Sequence, residues 1–236
     1  TYLEKFIGEF DIKENKLFLA KADAVLENNK KFSYSYRTTI KNEKITNIFI
    51  DGPKPFINNY KFIKGFDEGE LKLNSMKIDN TSRSNLKITN FKVKEVPVLA
   101  KILTLASLQG IADLLTGEGI RFDKFEMDFK TKNNLIEIDE LYALGPAISI
   151  MMDGYIEKDR VTSLRGTLVP ATTINKTISK IPLLGNILVG SKTGEGVFGV
   201  SFKIKGPPND LKSSVNPIKT LTPRFITRTL EIIKGN

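Results

Sequence analysis

Apolar and polar residues alternate along most of this chain. In the segment from Phe32 to Ile40, FSYSYRTTI, Phe32, Tyr34 and Tyr36 are separated by small or charged residues. A period of two places each set on its own face of a β-strand. Similar segments follow between residues 45 and 93, and clusters of Asn, Gly, Asp and Pro separate them. Residues 1–94 are therefore predicted to form an antiparallel β-meander.

A helical period begins at Pro97, in the segment VPVLAKILTLASLQGIADLLTGEGI. Proline is favoured at the first position of a helix, and Gly117 is a typical stop. We therefore predict one helix from Val98 to Leu115. Charged residues such as Lys101 interrupt its apolar face, which favours packing against a sheet over spanning a membrane.

Strand-like alternation resumes after this helix. The Asp153-Gly154 dipeptide is a typical hairpin signal, so a turn is predicted there. A short second helix is predicted after Pro170, in the segment PATTINKTISKIPLLGNIL. Three segments place apolar side chains at every second position: Phe125, Met127 and Phe129; Ile148, Ile150 and Met152; and Phe198, Val200, Phe202 and Ile204.

The glycine-rich segment Gly185–Val200, GNILVGSKTGEGVFGV, partly matches a phosphate-binding loop. Ser191 separates Gly190 from Lys192, which moves the lysine off the position that such loops require. A strand follows the glycines, so no helix N-terminus is available to bind a phosphate. No nucleotide is predicted to bind. The glycines are interpreted as a sharp turn, and Gly199 as a site of close packing.

The composition excludes several kinds of chemistry. The chain has no histidine and no cysteine, which removes the usual general base, thiolate metal sites and disulfides. We therefore predict a protein that is not an enzyme, with no catalytic residue, metal or cofactor. The net charge of +9 suits anionic partners. Nucleic acid is not predicted among them, because only Tyr34–Arg37 interleaves aromatic and basic residues.

The C-terminal segment LTPRFITRTLEIIKG is basic and amphipathic, with Arg224, Arg228 and Lys234 between apolar residues. Such a segment can lie on an anionic membrane surface, bind a partner or pack on its own sheet. The segment GPPNDLKSSVNP before it is predicted to be a linker. The expected organisation is a meander over 1–94, a helix with a sheet over 95–205, and a linker with a basic tail over 206–236.

Five segments occur in an order that resembles the C-terminal region of the AsmA-like family of Gram-negative envelope proteins, closest to its YhdP branch. They are VPVLAKILTLASLQGIADLLTGEGIRFDKFEMDF, GPAISIMMDGYI, LRGTLVPATTINKTISKIPLLGNILVG, GEGVFGVSFKIKG and VNPIKTLTPRF. The resemblance covers roughly Glu95 to Phe225. Residues 1–94 are similar only in being rich in strands.

The resemblance implies a fold and a function. The fold would be mainly β with helices: a curved antiparallel sheet that forms a groove (β-taco-like), with one or two amphipathic helices packed against it. Proteins of this kind are similar to bridge-like lipid-transfer proteins, whose groove carries phospholipid acyl chains between the inner and outer membranes. The intact protein would be periplasmic and anchored to the inner membrane by a segment absent from this chain. The resemblance brings no catalytic residue.

The ten apolar residues of the three alternating segments are the candidates to line such a groove. Arg224, Arg228 and Lys234 are the candidates to contact headgroups, a membrane surface or an envelope protein. The residues leave a second interpretation open, in which the apolar side chains pack on the helix as ordinary core. The chain would then be a structural or assembly protein of the envelope with a partner-binding tail.

Overall fold

The computed structural model describes residues 3–57, 65–170 and 199–218. Three α-helices are found there: α1 (Lys54–Ile57), α2 (Pro97–Leu105) and α3 (Gln109–Thr116), besides a single 3-10 turn at Glu27–Asn29. The strands are β1 (Leu3–Lys13), β2 (Lys16–Leu26), β3 (Lys30–Thr38), β4 (Lys44–Asp51), β5 (Gly65–Ile78), β6 (Thr81–Lys94), β7 (Ile120–Lys132), β8 (Leu135–Leu144), β9 (Ile148–Glu157), β10 (Val161–Pro170), β11 (Gly199–Gly206) and β12 (Lys212–Ile218).

All twelve strands belong to one antiparallel sheet, in which each strand pairs with the next one along the chain. The sheet does not close, because β1 and β12 do not pair with each other. The prediction of a mainly β fold with a curved antiparallel sheet and packed helices is confirmed. Pairing continues from β6 to β7, across the boundary that the sequence suggests between residues 94 and 95.

The connections differ between the two ends of the sheet. Short turns join β1 to β2, β3 to β4, β5 to β6, β7 to β8, β9 to β10 and β11 to β12 at one end, which we call the hairpin end. Asn15, Asp79 and Asn133 have positive φ in these turns, a conformation that Asn and Asp tolerate well. The opposite end carries all three helices, and we call it the helix end.

The position of α2 shows that the sheet curves. This helix follows β6, yet it contacts β12, which lies six strands away in the sheet. In a flat sheet these two strands would be about 29 Å apart, at about 4.8 Å per strand. A helix of nine residues is only about 13 Å long and could not bridge that distance. The strands from β6 to β12 therefore curl around the helices. We call the face toward the helices the inner face and the opposite one the outer face.

The hydrophobic core lies between the helices and the inner face at the helix end. Leu103 of α2 and Leu115 of α3 are completely buried there. On the sheet side, the rings of Phe91 and Phe122 stack with their centroids 5.5 Å apart. Leu168 of β10 is also fully buried in this cluster, so the core joins strands that are distant in sequence.

The prediction of a single helix from Val98 to Leu115 is wrong, because α2 and α3 are separate. Ser107 lies between them with φ 59°. Its amide donates to the carbonyl of Thr104 (3.0 Å), and the amide of Leu108 donates to the carbonyl of Leu103 (2.9 Å). These two bonds form a Schellman motif, which ends α2. The sequence does not indicate this break between the helices, because serine occupies the left-handed position that glycine usually takes.

The predicted ends of the helical region are confirmed. Pro97 lies in the first turn of α2, and Gly117 caps the end of α3. Within the described residues, no helix has both the length and the apolar character needed to cross a membrane.

The linker predicted in the segment GPPNDLKSSVNP is partly wrong. Only residues 207–211 form a turn, and Lys212–Ile218 is strand β12, paired with β11. Ser213 and Val215 take alternate positions on the inner face, opposite Ile204 and Phe202. The basic tail, the short helix predicted after Pro170 and most of the glycine-rich segment lie outside the described residues.

Gly199 begins β11, and it is the glycine of that segment that the structure describes. A Cβ atom at this position would lie 2.6 Å from the carbonyl oxygen of Leu168. The predicted close packing at Gly199 is therefore confirmed.

The hairpin predicted at Asp153-Gly154 is also wrong, because β9 runs through both residues. The chain turns later, at Asp159, which has φ 60°. Gly154 instead lets two strands approach closely: its φ is 139°, and an added Cβ would clash with the carbonyl oxygen of Ser163.

The two glycines Gly154 and Gly110 are expected to respond in opposite ways to substitution by alanine. Gly154→Ala should lower the free energy of unfolding by about 1–3 kcal/mol, because the backbone must shift and φ is strained. Gly110→Ala should raise it by up to about 1 kcal/mol, because α3 has open space there and alanine favours helix. Urea denaturation measures both values. Equal effects of the two substitutions would contradict this description of β9.

Candidate functional site

Strand register places two rows of apolar residues across the inner face. Residues in register share a face, and residues two positions apart along a strand share it too. Row A contains Phe6, Ala24, Phe32, Ile50, Leu71, Ile88, Phe125, Ala143, Ile150, Leu168, Val200 and Pro217. Row B contains Gly8, Ala22, Tyr34, Ile48, Leu73, Leu86, Met127, Leu141, Met152, Gly166, Phe202 and Val215.

Both rows cross the whole sheet without a charged side chain. Eleven strand spacings of about 4.8 Å correspond to about 53 Å of continuous apolar surface. A run of this length is far more than is needed to bury the three short helices. The rows therefore extend well beyond the core that the helices form.

Burial divides the rows into two parts. Near the helices, Leu168, Val200 and Phe202 are at most 5% exposed and belong to the core. Ten of the larger side chains in the rows are half-buried instead, and half of these also pack against the edge of the core. We call this part the open inner surface. It consists of Phe32, Tyr34, Ile48, Leu71, Leu73, Leu86, Phe125, Met127, Ile150 and Met152.

The outer face carries the charges. Lys87 and Lys124 lie 2.9 and 3.7 Å from the carboxylate of Glu126, which is only 10% exposed. Arg165 and Asp153 form another pair at 3.0 Å. These charged side chains compensate each other, whereas rows A and B of the inner face are uncharged. The outer face is not charged throughout, because Tyr142, Ser149 and Val169 on it are completely buried.

A shallow depression of ≈ 620 Å³ lies mainly on the polar outer face, over β4 to β8. Asn85 donates to Asp128 there at 2.7 Å, so these two groups satisfy each other. Among the described residues, no group of three or more acidic, histidine or cysteine side chains could hold a metal ion. Ile45, Met76 and Phe129 also line this depression, so it combines polar and apolar side chains but offers no metal site.

Ion pairs on the outer face near the helix end lower the pKa values of two carboxyl groups. The hydrogen bonds from Arg121 lower the pKa of Glu68, at 2.8 Å for Nη1–Oε2 and 3.1 Å for Nη2–Oε1. The hydrogen bond from Lys54 lowers the pKa of Asp67, at 3.1 Å. These pairs join α1 to β5 and β5 to β7, so their role is structural.

Removing the Glu68 carboxylate is expected to destabilise the protein only above its lowered pKa. The stabilisation is present above the ordinary pKa of a glutamate and is lost as the pH falls through the folded value. Glu68→Gln should therefore unfold more easily than the wild type near pH 7, by a small amount because the pair is exposed. The difference should shrink as the pH falls through the lowered pKa of Glu68 and disappear below it. Glu70→Gln removes a carboxylate of the same strand that lies outside this ion pair, and it is the control. A difference that persists in acid would contradict the role of the ion pair.

The structure places nine of the ten groove candidates on the inner face. Phe125, Met127, Phe129, Ile150 and Met152 are half-buried there, whereas Ile148, Val200, Phe202 and Ile204 are buried in the core. Phe198, Arg224, Arg228 and Lys234 lie outside the described residues. Some candidates thus belong to the core, whereas others lie on the open inner surface. Contact of the latter with lipid stays a prediction.

Sequence reasoning missed the contribution of β3 to β6 to this surface. Row B runs from Tyr34 through Ile48, Leu73 and Leu86 to Met127, one residue on each successive strand. The alternation of residues in these strands was visible in the sequence. What it did not show is that the strands pair in order with β7, so that their apolar faces form one surface.

Comparison with known proteins finds no significant match among protein-family models, among curated proteins or among solved structures. A function for this chain therefore has to be inferred from the geometry of the sheet.

Proposed function

We propose that this chain is a non-enzymatic lipid-binding module whose open inner surface holds the acyl chains of phospholipids. In the intact protein it would move phospholipid between the inner and outer membranes of a bacterial envelope. The observation that carries the proposal is the pair of apolar rows, which cross all twelve strands without a charge. Large exposed apolar patches on soluble domains mark interaction sites.

An acyl chain fits this surface energetically. Each methylene that leaves water contributes about 0.8 kcal/mol, so a long chain would be held firmly on the half-buried side chains. Leu73, Leu86 and Met127 offer similar aliphatic contacts on three successive strands. An acyl chain that moved from one strand to the next would thus lose one set of aliphatic contacts and gain an equivalent set. Met127 and Met152 can also adapt to chains of irregular shape.

The proposal includes a location and a membrane-facing partner. The resemblance to AsmA-like proteins suggests a periplasmic location and an inner-membrane anchor. An open apolar sheet that could hold acyl chains is compatible with that location. The basic tail with Arg224, Arg228 and Lys234 would contact a membrane surface or an envelope protein.

A second candidate is a structural or assembly protein of the envelope that binds no lipid. The burial of Ile148, Val200, Phe202 and Ile204 favours it, since these side chains fill a core instead of lining a groove. It gives no role to the exposed parts of the half-buried apolar side chains on β3 to β7.

Lipid content distinguishes the two candidates. The chain is purified from a bacterial host without detergent, and bound lipid is measured by native mass spectrometry and by solvent extraction. We expect bound phospholipid, and exchange with phospholipid added in vesicles. A lipid-free protein that takes up none from vesicles would exclude the lipid-binding function.

A further inference from the structure

Two neighbouring strands share the same change of side-chain chemistry along the inner face. Every second residue of each strand points to this face. From the helix end toward the hairpin end, these residues are two apolar ones, then one with a hydroxyl group, then a lysine. The order on β4 is Ile50, Ile48, Thr46 and Lys44, and the order on β5 is Leu71, Leu73, Ser75 and Lys77.

Lys44 and Lys77 are direct cross-strand partners. In antiparallel pairs, opposite residues have Cβ atoms about 4.5–5.5 Å apart, and like charges at this distance are destabilising. Both side chains are exposed, and neither forms an ion pair within the described part of the chain. The next register partners on either side are Thr38 and Ser82, which carry no charge. An anion would offset the repulsion.

Hydroxyl groups complete this polar border. Thr46, Ser75 and Ser84 are register neighbours, and the hydroxyl of Ser84 donates to Oγ of Ser75 at 2.8 Å. Hydroxyl and ammonium groups side by side are donors that suit the oxygens of a phosphate.

The spacing matches an amphipathic ligand that lies along the strands. Lys77 lies six positions after Leu71, which corresponds to about 20 Å of extended strand. If the anionic group of a ligand binds the lysines, its apolar part would therefore contact row B and then row A. The apolar part would point toward the core at the helix end.

We infer that Lys44 and Lys77, with the hydroxyls of Thr46 and Ser75, bind the phosphate of a phospholipid headgroup whose acyl chains lie on the open inner surface. This inference rests on the proposed function and adds an orientation to it. The headgroup stays at the hairpin-end border, and the acyl chains point toward the helices. Lipids would then move sideways, across the strands, without turning over.

A matched pair of double variants tests the inference. Lys205 and Lys212 are also exposed cross-strand partners near the hairpin end, but they lie on the outer face. K44Q/K77Q and K205Q/K212Q therefore remove the same charge from opposite faces. The probes are fluorescent phosphatidylglycerol, diacylglycerol with the same acyl chains and no phosphate, and inorganic phosphate.

The wild type should bind phosphatidylglycerol about tenfold more tightly than diacylglycerol, since each lysine near an anionic headgroup contributes favourably. K44Q/K77Q should bind both lipids equally, and K205Q/K212Q should keep the preference. Equal binding of both lipids by the wild type, or equal losses in the two double variants, would overturn the headgroup site while leaving acyl-chain binding intact. Binding of inorganic phosphate without either lipid would identify a free-phosphate site and would also overturn it. Failure of both lipids to bind would contradict the proposed function itself.

Discussion

Leu73→Asp is expected to abolish phospholipid binding without unfolding the protein. Leu73 lies near the centre of row B, between Ile48 and Leu86, and it is half-buried. A carboxylate there would have to lose its water beneath an acyl chain, which is strongly unfavourable. In the free protein the same side chain can remain hydrated. Bound phospholipid, measured by extraction after purification, should fall at least about tenfold.

The neighbouring residue provides the control. Asn74 follows Leu73 on β5 and lies on the outer face, in register with Asn47 and Asn85. Asn74→Asp adds the same charge one position away and should leave lipid binding unchanged. Phe202 is unsuitable for this test, because it is 4% exposed and a charge there would disrupt the core. A folded Leu73→Asp protein with the wild-type lipid content would show that the acyl chains lie elsewhere.

Leu103→Ala is expected to give a large loss of stability. Leu103 is 0% exposed, and its side chain lies in α2 among the core residues that join the helices to the sheet. Truncating such a leucine removes buried methyl groups and leaves a cavity, which costs about 2–5 kcal/mol. The free energy of unfolding should fall by this amount in urea denaturation.

Leu105→Ala tests whether this loss comes from burial. Leu105 lies in the same helix but is 48% exposed. Its truncation should cost less than about 1 kcal/mol. Similar losses for the two variants would mean that α2 does not pack against the inner face as described.

Local patterns in the sequence predicted the elements well. The period of two located β3 to β6, and the helical period located α2 and α3 with the correct ends at Pro97 and Gly117. Local exceptions to the usual residue preferences caused the errors. Ser107 takes a position where glycine is typical, and Gly154 sits inside a strand because its neighbours leave no room for a Cβ atom.

The site depended on information that local patterns do not contain. Row A joins Phe6 to Pro217 through eleven strand pairings, and each pairing must be known before the row can be recognised. On β4 and β5 the side chains change from apolar to hydroxyl and ammonium groups. The two strands form one polar border only because Lys44 lies opposite Lys77. The division between core and open surface depends on where the helices pack, which no strand sequence shows.

Photo-crosslinking along β7 tests the central claim most directly. A photoreactive amino acid is placed singly at six successive positions from Phe125 to Lys130, and the protein is irradiated with bound phospholipid. We predict lipid adducts at Phe125, Met127 and Phe129, which face inward, and none at the positions between them. Adducts at all six positions, or at none, would contradict the claim that the inner face of this sheet holds lipid.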